Sequence, residues 1–228
     1  MTTPNPLGPS KGLNVAHLFC HPEGHVDAGA VRKAVDDARE AGLQIVTVAI
    51  MGAKADTCFM ALGENLWGLR KFQSRIQGAG FCVAESYVSV TEVSEYASGM
   101  PEQMLNERLY PKLPPADKRA FCFYPMSKRR GEKHNWYALP YEERERLMRQ
   151  HGAAAREFRG RVLQLVTGST GLDDWEWGVT LFGVHIDDLK ECVYSLRYDE
   201  ASTLYAEFGA FYTGLVGSVD EVLDAALA

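Results

Sequence analysis

The sequence predicts an α+β fold: two tandem ferredoxin-like βαββαβ units packed sheet to sheet as a dimeric α+β barrel. Three observations predict it. Strand-like and helix-like patterns alternate in the order β-α-β-β-α-β, and that order occurs twice. The helical segments place their apolar residues on one face, so each covers one side of a sheet. The other side of each four-stranded sheet needs cover, and the twin sheet supplies it. Two matching units in tandem indicate an internal duplication.

Residues 13–20 (LNVAHLFC) read as the first strand. In residues 27–41, Val31, Ala34, Val35 and Ala38 recur at helical spacing, and Gly42 is a natural stop. LQIVTVAIM (43–51) is a β-branched, buried strand, GAKA a turn, and DTCFMALG (56–63) the next strand. Leu66, Leu69, Phe72 and Ile76 mark a helix ending near Gly78–Gly80, and FCVAESYVSV (81–90) closes the first unit. AFCFYPM (120–126) opens the second. Pro140 starts a helix with Glu142 and Glu143 in its first turn, where the dipole favours acids, and it runs to about Phe158. Strands at 161–169 and 175–183 flank a TGLDD turn. Asp187 or Asp188 caps a helix whose apolar face is Leu189, Val193 and Leu196, and 206–217 forms the last strand. Residues 1–12 read as a mobile tail without a secretion signal. The first unit with its connecting segment takes 13–112, and the second takes 113–228. The connection itself, 91–119, is rich in proline.

The net charge of −6 argues against a nucleic-acid binder. No apolar run reaches the length of a membrane span. Five widely spaced cysteines without a CxxC fit reduced thiols and a cytoplasmic location. Cys20, Cys58, Cys82 and Cys122 sit in strand-like stretches and are expected to be buried.

The segment CFYPMSKRR (122–130) puts Tyr124 at the end of an apolar strand, with Lys128, Arg129 and Arg130 just beyond. It reads either as a strand end running into a solvated cationic face or as one wall of an anion site. His151 shares a helix face with Leu147 and Met148, and Gly152–Ala155 leave room beside it. It is either a hydrogen-bonded packing histidine or a ligand. His17, His21 and His25 are four apart, but a strand and Pro22–Gly24 separate them, which disfavours zinc. Asp173 and Asp174 are turn residues, and Trp136, Trp175 and Trp177 are core or pocket wall. No Walker loop, GxGxxG, HExxH or GxSxG occurs.

Three stretches carry a family resemblance: YPMSKRRGEKHNWYALPYEERERLMRQHG (124–152), GRVLQLVTGSTGLDDWEWGVTLF (160–182) and VYSLRYDEASTLYAEFGAFYTG (193–214). GAKADTCFMAL (52–62) and SYVSVTEVSEY (86–96) extend it over the first half. The sequence resembles the chlorite dismutase-like superfamily, and within it most nearly the coproheme decarboxylases. The resemblance implies paired ferredoxin-like units, a homo-oligomer of five subunits, and His151 as the proximal iron ligand. It implies that Tyr124 is the catalytic radical tyrosine and that Lys128 contacts a propionate and supplies a proton. Arg108 and Ser202 match further propionate contacts, and Met126, Trp136 and Trp175 match pocket positions. At Gln164 the chlorite dismutases have an arginine, so this position favours the decarboxylases. The implied reaction uses hydrogen peroxide to turn two propionates of iron-coproporphyrin III (coproheme) into vinyls, giving haem b. No distal histidine stands at a matching position, which leaves the base that deprotonates peroxide open. Chlorite dismutase, a weak haem peroxidase and a non-catalytic haem carrier are the alternatives.

Overall fold

The computed structural model describes residues 7–97 and 99–228. The first unit runs β1 (Asn14–Pro22), α1 (Ala28–Glu40), β2 (Gln44–Met51), β3 (Thr57–Gly63), α2 (Leu66–Gly78) and β4 (Phe81–Thr91). After α3 (Glu102–Leu109) come β5 (Ala120–Lys128), a 3-10 turn at Trp136–Ala138, α4 (Tyr141–Arg156), β6 (Val162–Gly168) and β7 (Trp177–Gly183). The chain ends with α5 (Ile186–Leu196), α6 (Glu200–Thr203), β8 (Ala206–Phe208), β9 (Tyr212–Gly217) and α7 (Val219–Leu227).

The strands form one antiparallel sheet in the order β7-β6-β4-β1-β3-β2-β9-β5-β8, and β5 also pairs with β7. That extra pairing closes the sheet into a ring, in which β8 lies in line with β9 along the edge of β5 opposite β7. Within the ring the orders β4-β1-β3-β2 and β9-β5-β7-β6 are the same pattern, so the two units are structural repeats. Hydrogen-bonded seams join them edge to edge. The β2–β9 seam runs from Thr47–Gly217 to Met51–Thr213, whereas the β4–β6 seam pairs only Val90–Gly168 and Thr91–Thr167. Closure removes the exposed edges that an open sheet would present.

Strand alternation sorts the core into layers. Val15, Phe19, Val48, Met60, Phe121, Phe123 and Phe182 fill the barrel interior. Outside the first half, α1, α2 and α7 cover Leu18, Ile45, Phe59 and Ala61 with Val31, Val35, Phe72, Ile76 and Leu223. Outside the second half, Tyr124, Val162, Val179 and Leu181 pack with Phe158, Leu189 and Cys192. The helices start where their caps dictate: Asp27 accepts from the Ala30 N–H, Asn65 from Trp67 and Ser218 from Glu221.

Four expectations change. The helix α3 buries no residue and has no side-chain cap, so it leaves little periodic signal. The single strand expected at 206–217 is two strands. Pro125 has no N–H to offer, the Gly209 N–H donates to its carbonyl at 2.8 Å, and pairing with β5 resumes only at Tyr212. Residues 7–12 are held to the body: the Leu66 N–H donates to the Leu7 carbonyl, and the Gly12 N–H donates to the Tyr110 hydroxyl. The rest of the expected tail, 1–6, lies outside the described residues. Cys82 is exposed rather than buried, because it faces away from the layer that α2 covers.

Candidate functional site

The site grows from the outward face of β5. Alternation sends Ala120, Cys122, Tyr124 and Met126 toward the helices, while Phe121 and Phe123 point into the barrel. Tyr124 is 6% exposed; its ring stacks on Phe211 at 4.5 Å and meets Phe208 edge-on at 5.7 Å. Burial drives its phenol pKa well above the ordinary value, so it stays protonated at any working pH.

Four residues along the same strand, Lys128 is also buried, at 8% exposed. Its Nζ donates to the Ala201 carbonyl at 3.2 Å and lies 4.2 Å from the centre of the Trp136 ring. Burial pulls its pKa down to about 8, against the opposing charges of Asp199 and Glu176. The Lys128 backbone N–H donates to buried Glu176 Oε2 at 2.8 Å, which pins this end of β5. Trp136 is itself buried, among Leu147, Ala201 and Tyr205.

His151 comes from α4. Its Nδ1 is 3.0 Å from Asp199 Oδ2, and its side chain keeps 29% of its surface exposed. Asp199 is the N-cap of α6 and is buried. It also accepts from the Ser202 N–H and the Ser202 hydroxyl, each at 3.0 Å. Burial by itself would raise the Asp199 carboxyl, but His151 and these hydrogen bonds outweigh it and hold the pKa below the ordinary value. An ionised Asp199 fixes the proton on Nδ1. That leaves the Nε2 lone pair, which has no partner among the described residues, as a free donor.

The remaining residues singled out from the sequence fall at different places. On β6, Gln164 turns to the helix side, and its Nε2 donates to Cys192 Sγ at 3.4 Å. Ser202 lines a cavity of about 520 Å³ with Arg129, Arg197, Phe208 and Phe211. Met126 is half-buried against the Tyr124 layer. Trp175 packs instead with the barrel-interior cluster, and its ring lies against Gly209. Arg108 is exposed on α3, whose end is tied to Thr91 and Gly12 rather than to the Lys128–Asp199 network. Arg130 is exposed, while Arg129 is half-buried and 3.8 Å from Glu207. His17 lies in the barrel with Nε2 3.0 Å from Thr180 Oγ1, and burial lowers its pKa to about 3. His21 pairs with Asp56.

Sequence reasoning missed Asp199, Arg197 and Glu176. Asp199 had a signal: it opens DEAS, a helix N-cap pattern directly after RY. Arg197 lies over the Phe208 ring at 4.6 Å, and nothing in the sequence places it beside Ser202.

A closed barrel of two βαββαβ repeats, with a carboxylate-backed histidine and a buried tyrosine on the outer face of the second repeat, defines a class of dimeric α+β barrel proteins. Within that class, the chain belongs to the chlorite dismutase family, whose model matches residues 26–217. A protein of Natronomonas pharaonis that carries a heme-binding name is 38% identical over 92% of this chain, which spans only 40% of that relative's length. A structure described as a novel heme-binding protein from Thermus thermophilus is 33% identical, with a TM-score of 0.85 over 100% of this chain and 99% of that one. A chlorite dismutase mutant from Candidatus Nitrospira defluvii shares the fold at 19% identity, with a TM-score of 0.76 over 96% and 97% of the two chains.

Proposed function

We propose that the chain binds an iron porphyrin through His151 and, with hydrogen peroxide, oxidatively decarboxylates two propionates of coproheme to give haem b. The observation that carries this reading is the pairing of Tyr124 and Lys128. A protonated phenol and an ammonium, both buried, stand four residues apart on one strand, where alternation puts them on the same face. A buried cation needs an anion. The Lys128 ammonium feels the carboxylates of Asp199 and Glu176 but donates only to a carbonyl and faces a π ring, so it keeps N–H groups for an incoming carboxylate.

The residues fit the group. Asp199 holds His151 in the tautomer that leaves Nε2 free for iron. Arg197 and Arg129 line the cavity at Ser202 and suit carboxylates as planar donors. The heme-binding names of two relatives support the same ligand class.

The bound iron porphyrin supplies the two-electron reaction with peroxide. Each propionate, R–CH2–CH2–COO⁻, then becomes R–CH=CH2 plus CO2, with release of one proton and two electrons. One peroxide accepts those electrons and, with that proton and one more taken from solvent, becomes two waters. Tyr124 serves as the hydrogen-atom acceptor once oxidised, because its burial excludes water and its ring is fixed by Phe211. Lys128 holds the carboxylate against the phenol. Gln164 has no basic group, and its amide is turned to a thiol, so it does not act as the peroxide base.

The test is Tyr124→Phe. It should bind ferric coproheme with a normal Soret band and form no decarboxylated product. Unchanged turnover would remove Tyr124 from the mechanism. If the wild-type protein binds coproheme but forms no product with peroxide, it is a carrier; turnover of chlorite instead would make it a dismutase.

A further inference from the structure

Two cysteines share the layer that holds Tyr124. Cys122 precedes Tyr124 by two residues and projects from the same face of β5, while Cys192 comes down onto that face from α5. Cys192 is fully buried, and Cys122 is 6% exposed. Cys192 Sγ also accepts the Gln164 amide at 3.4 Å. The two thiols lie within electrostatic reach of each other and of the phenol. Nothing in the proposed reaction uses them.

Their chemistry is set by this setting. Burial raises both thiols, Cys122 to about 12 and Cys192 to about 11. They are therefore not thiolates near neutral pH, and direct attack on peroxide, which needs the thiolate, is suppressed. An S–H bond beside an oxidised phenol has a different route open to it, hydrogen-atom transfer.

We propose that Cys122 and Cys192 form an internal dithiol reductant for Tyr124, which discharges the oxidised phenol when no propionate stands in position. The inference rests on the oxidative reading of Tyr124 given above. Tyr124, having lost a hydrogen atom, takes one from an S–H; its O–H bond re-forms and a thiyl remains. A second oxidising equivalent treats the other thiol in the same way, and the two sulfurs join. In sum, two thiols and one peroxide give one disulfide and two waters. The device spares the porphyrin ring from excess oxidant until both thiols are spent.

The experiment uses the protein loaded with haem b, which lacks the two propionates that react. Hydrogen peroxide is added stepwise, and all five cysteines are followed by peptide mass spectrometry with differential alkylation. The expected result is a Cys122–Cys192 disulfide, a mass loss of two hydrogens, that forms before the Soret band bleaches. Buried Cys20 and Cys58 stay reduced as internal controls. In Tyr124→Phe the disulfide should not form. In a Cys122→Ala/Cys192→Ala variant the Soret band should bleach at lower peroxide. Bleaching with both thiols still reduced, or thiol oxidation undiminished in Tyr124→Phe, overturns the inference. Coproheme turnover is measured in parallel. Tyr124-dependent disulfide without decarboxylation would keep this inference and sink the decarboxylase reading, and decarboxylation with unreactive thiols would do the reverse. Failure to bind either porphyrin would overturn both.

Discussion

Lys128 sits under an indole and against a backbone carbonyl, and its pKa of about 8 makes it respond to pH in two opposite ways. Without ligand, the folded protein binds this proton less tightly than the unfolded chain does. Between about pH 8 and the ordinary lysine value, the unfolded state therefore carries more protons. Stability should rise with pH across that window, and the rise should vanish in Lys128→Met. Denaturant midpoints of the ligand-free protein measure this. A carboxylate ligand reverses the sign. It raises the lysine pKa, so binding takes up a proton, and affinity for a carboxylated porphyrin should fall by up to about tenfold per pH unit above about pH 8. Spectrophotometric titration at several pH values checks it; a flat profile would separate Lys128 from the ligand. Asp199 gives a second residue-scale prediction. Asp199→Asn replaces an ionised acceptor by a neutral one, so His151 becomes a weaker donor. The iron–histidine stretch of the ferrous haem form should drop in frequency by resonance Raman, and stability should fall by about 1–3 kcal/mol because the buried Ser202 and His151 donors lose their charged partner.

At the scale of elements, close approach rather than propensity decides what the strands tolerate. A Cβ on Gly214 in β9 would lie 2.3 Å from the Ala49 carbonyl oxygen of β2, backbone that cannot yield. Gly214→Ala should cost about 1–3 kcal/mol and loosen the β2–β9 seam. Gly78 is the contrast, for at the end of α2 its Cβ would meet nothing. Gly78→Ala should be neutral or stabilise by up to about 1 kcal/mol. Thermal or urea unfolding of the pair tests the difference. Most of this layer was legible in the sequence. The α1 face of Val31, Ala34, Val35 and Ala38 and the β-branched run of β2 fall where periodicity puts them. Three elements were not. The helix α3 has no buried face to announce it. The helix α6 is too short for a period. The helix α7 carried a readable capping box, Ser218 with Glu221, but came after the repeat had closed. The site was partly legible. Tyr124 and Lys128 stand out as residue types at a strand end, and His151 follows from helix register. The DEAS pattern announces Asp199 only as a helix N-cap; its meeting with His151 needs α6 packed against α4, and Arg197, at the C-cap of α5, meets Ser202 with no local pattern to show it.

For the whole molecule, the ring is closed by two unequal seams. The β4–β6 seam, with its two residue pairs, should open before the β2–β9 seam. The Thr91 and Ile50 N–H groups bond Leu13 and Asp56 within the first repeat, so alternation turns the Val90 and Ala49 N–H groups to the seams, and hydrogen exchange at Val90 should be faster than at Ala49. Equal protection at both seams would contradict that order. The duplication also separates structure from chemistry. Both repeats fill the barrel interior, while the histidine, the tyrosine and the buried lysine all lie on the second. The most direct measurement is to load the protein with ferric coproheme, titrate in hydrogen peroxide and follow the porphyrin by mass spectrometry. The account predicts stepwise loss of two carboxyl groups, through a three-propionate species to haem b, with one peroxide consumed per group. Coproheme that stays bound and is only bleached would contradict it.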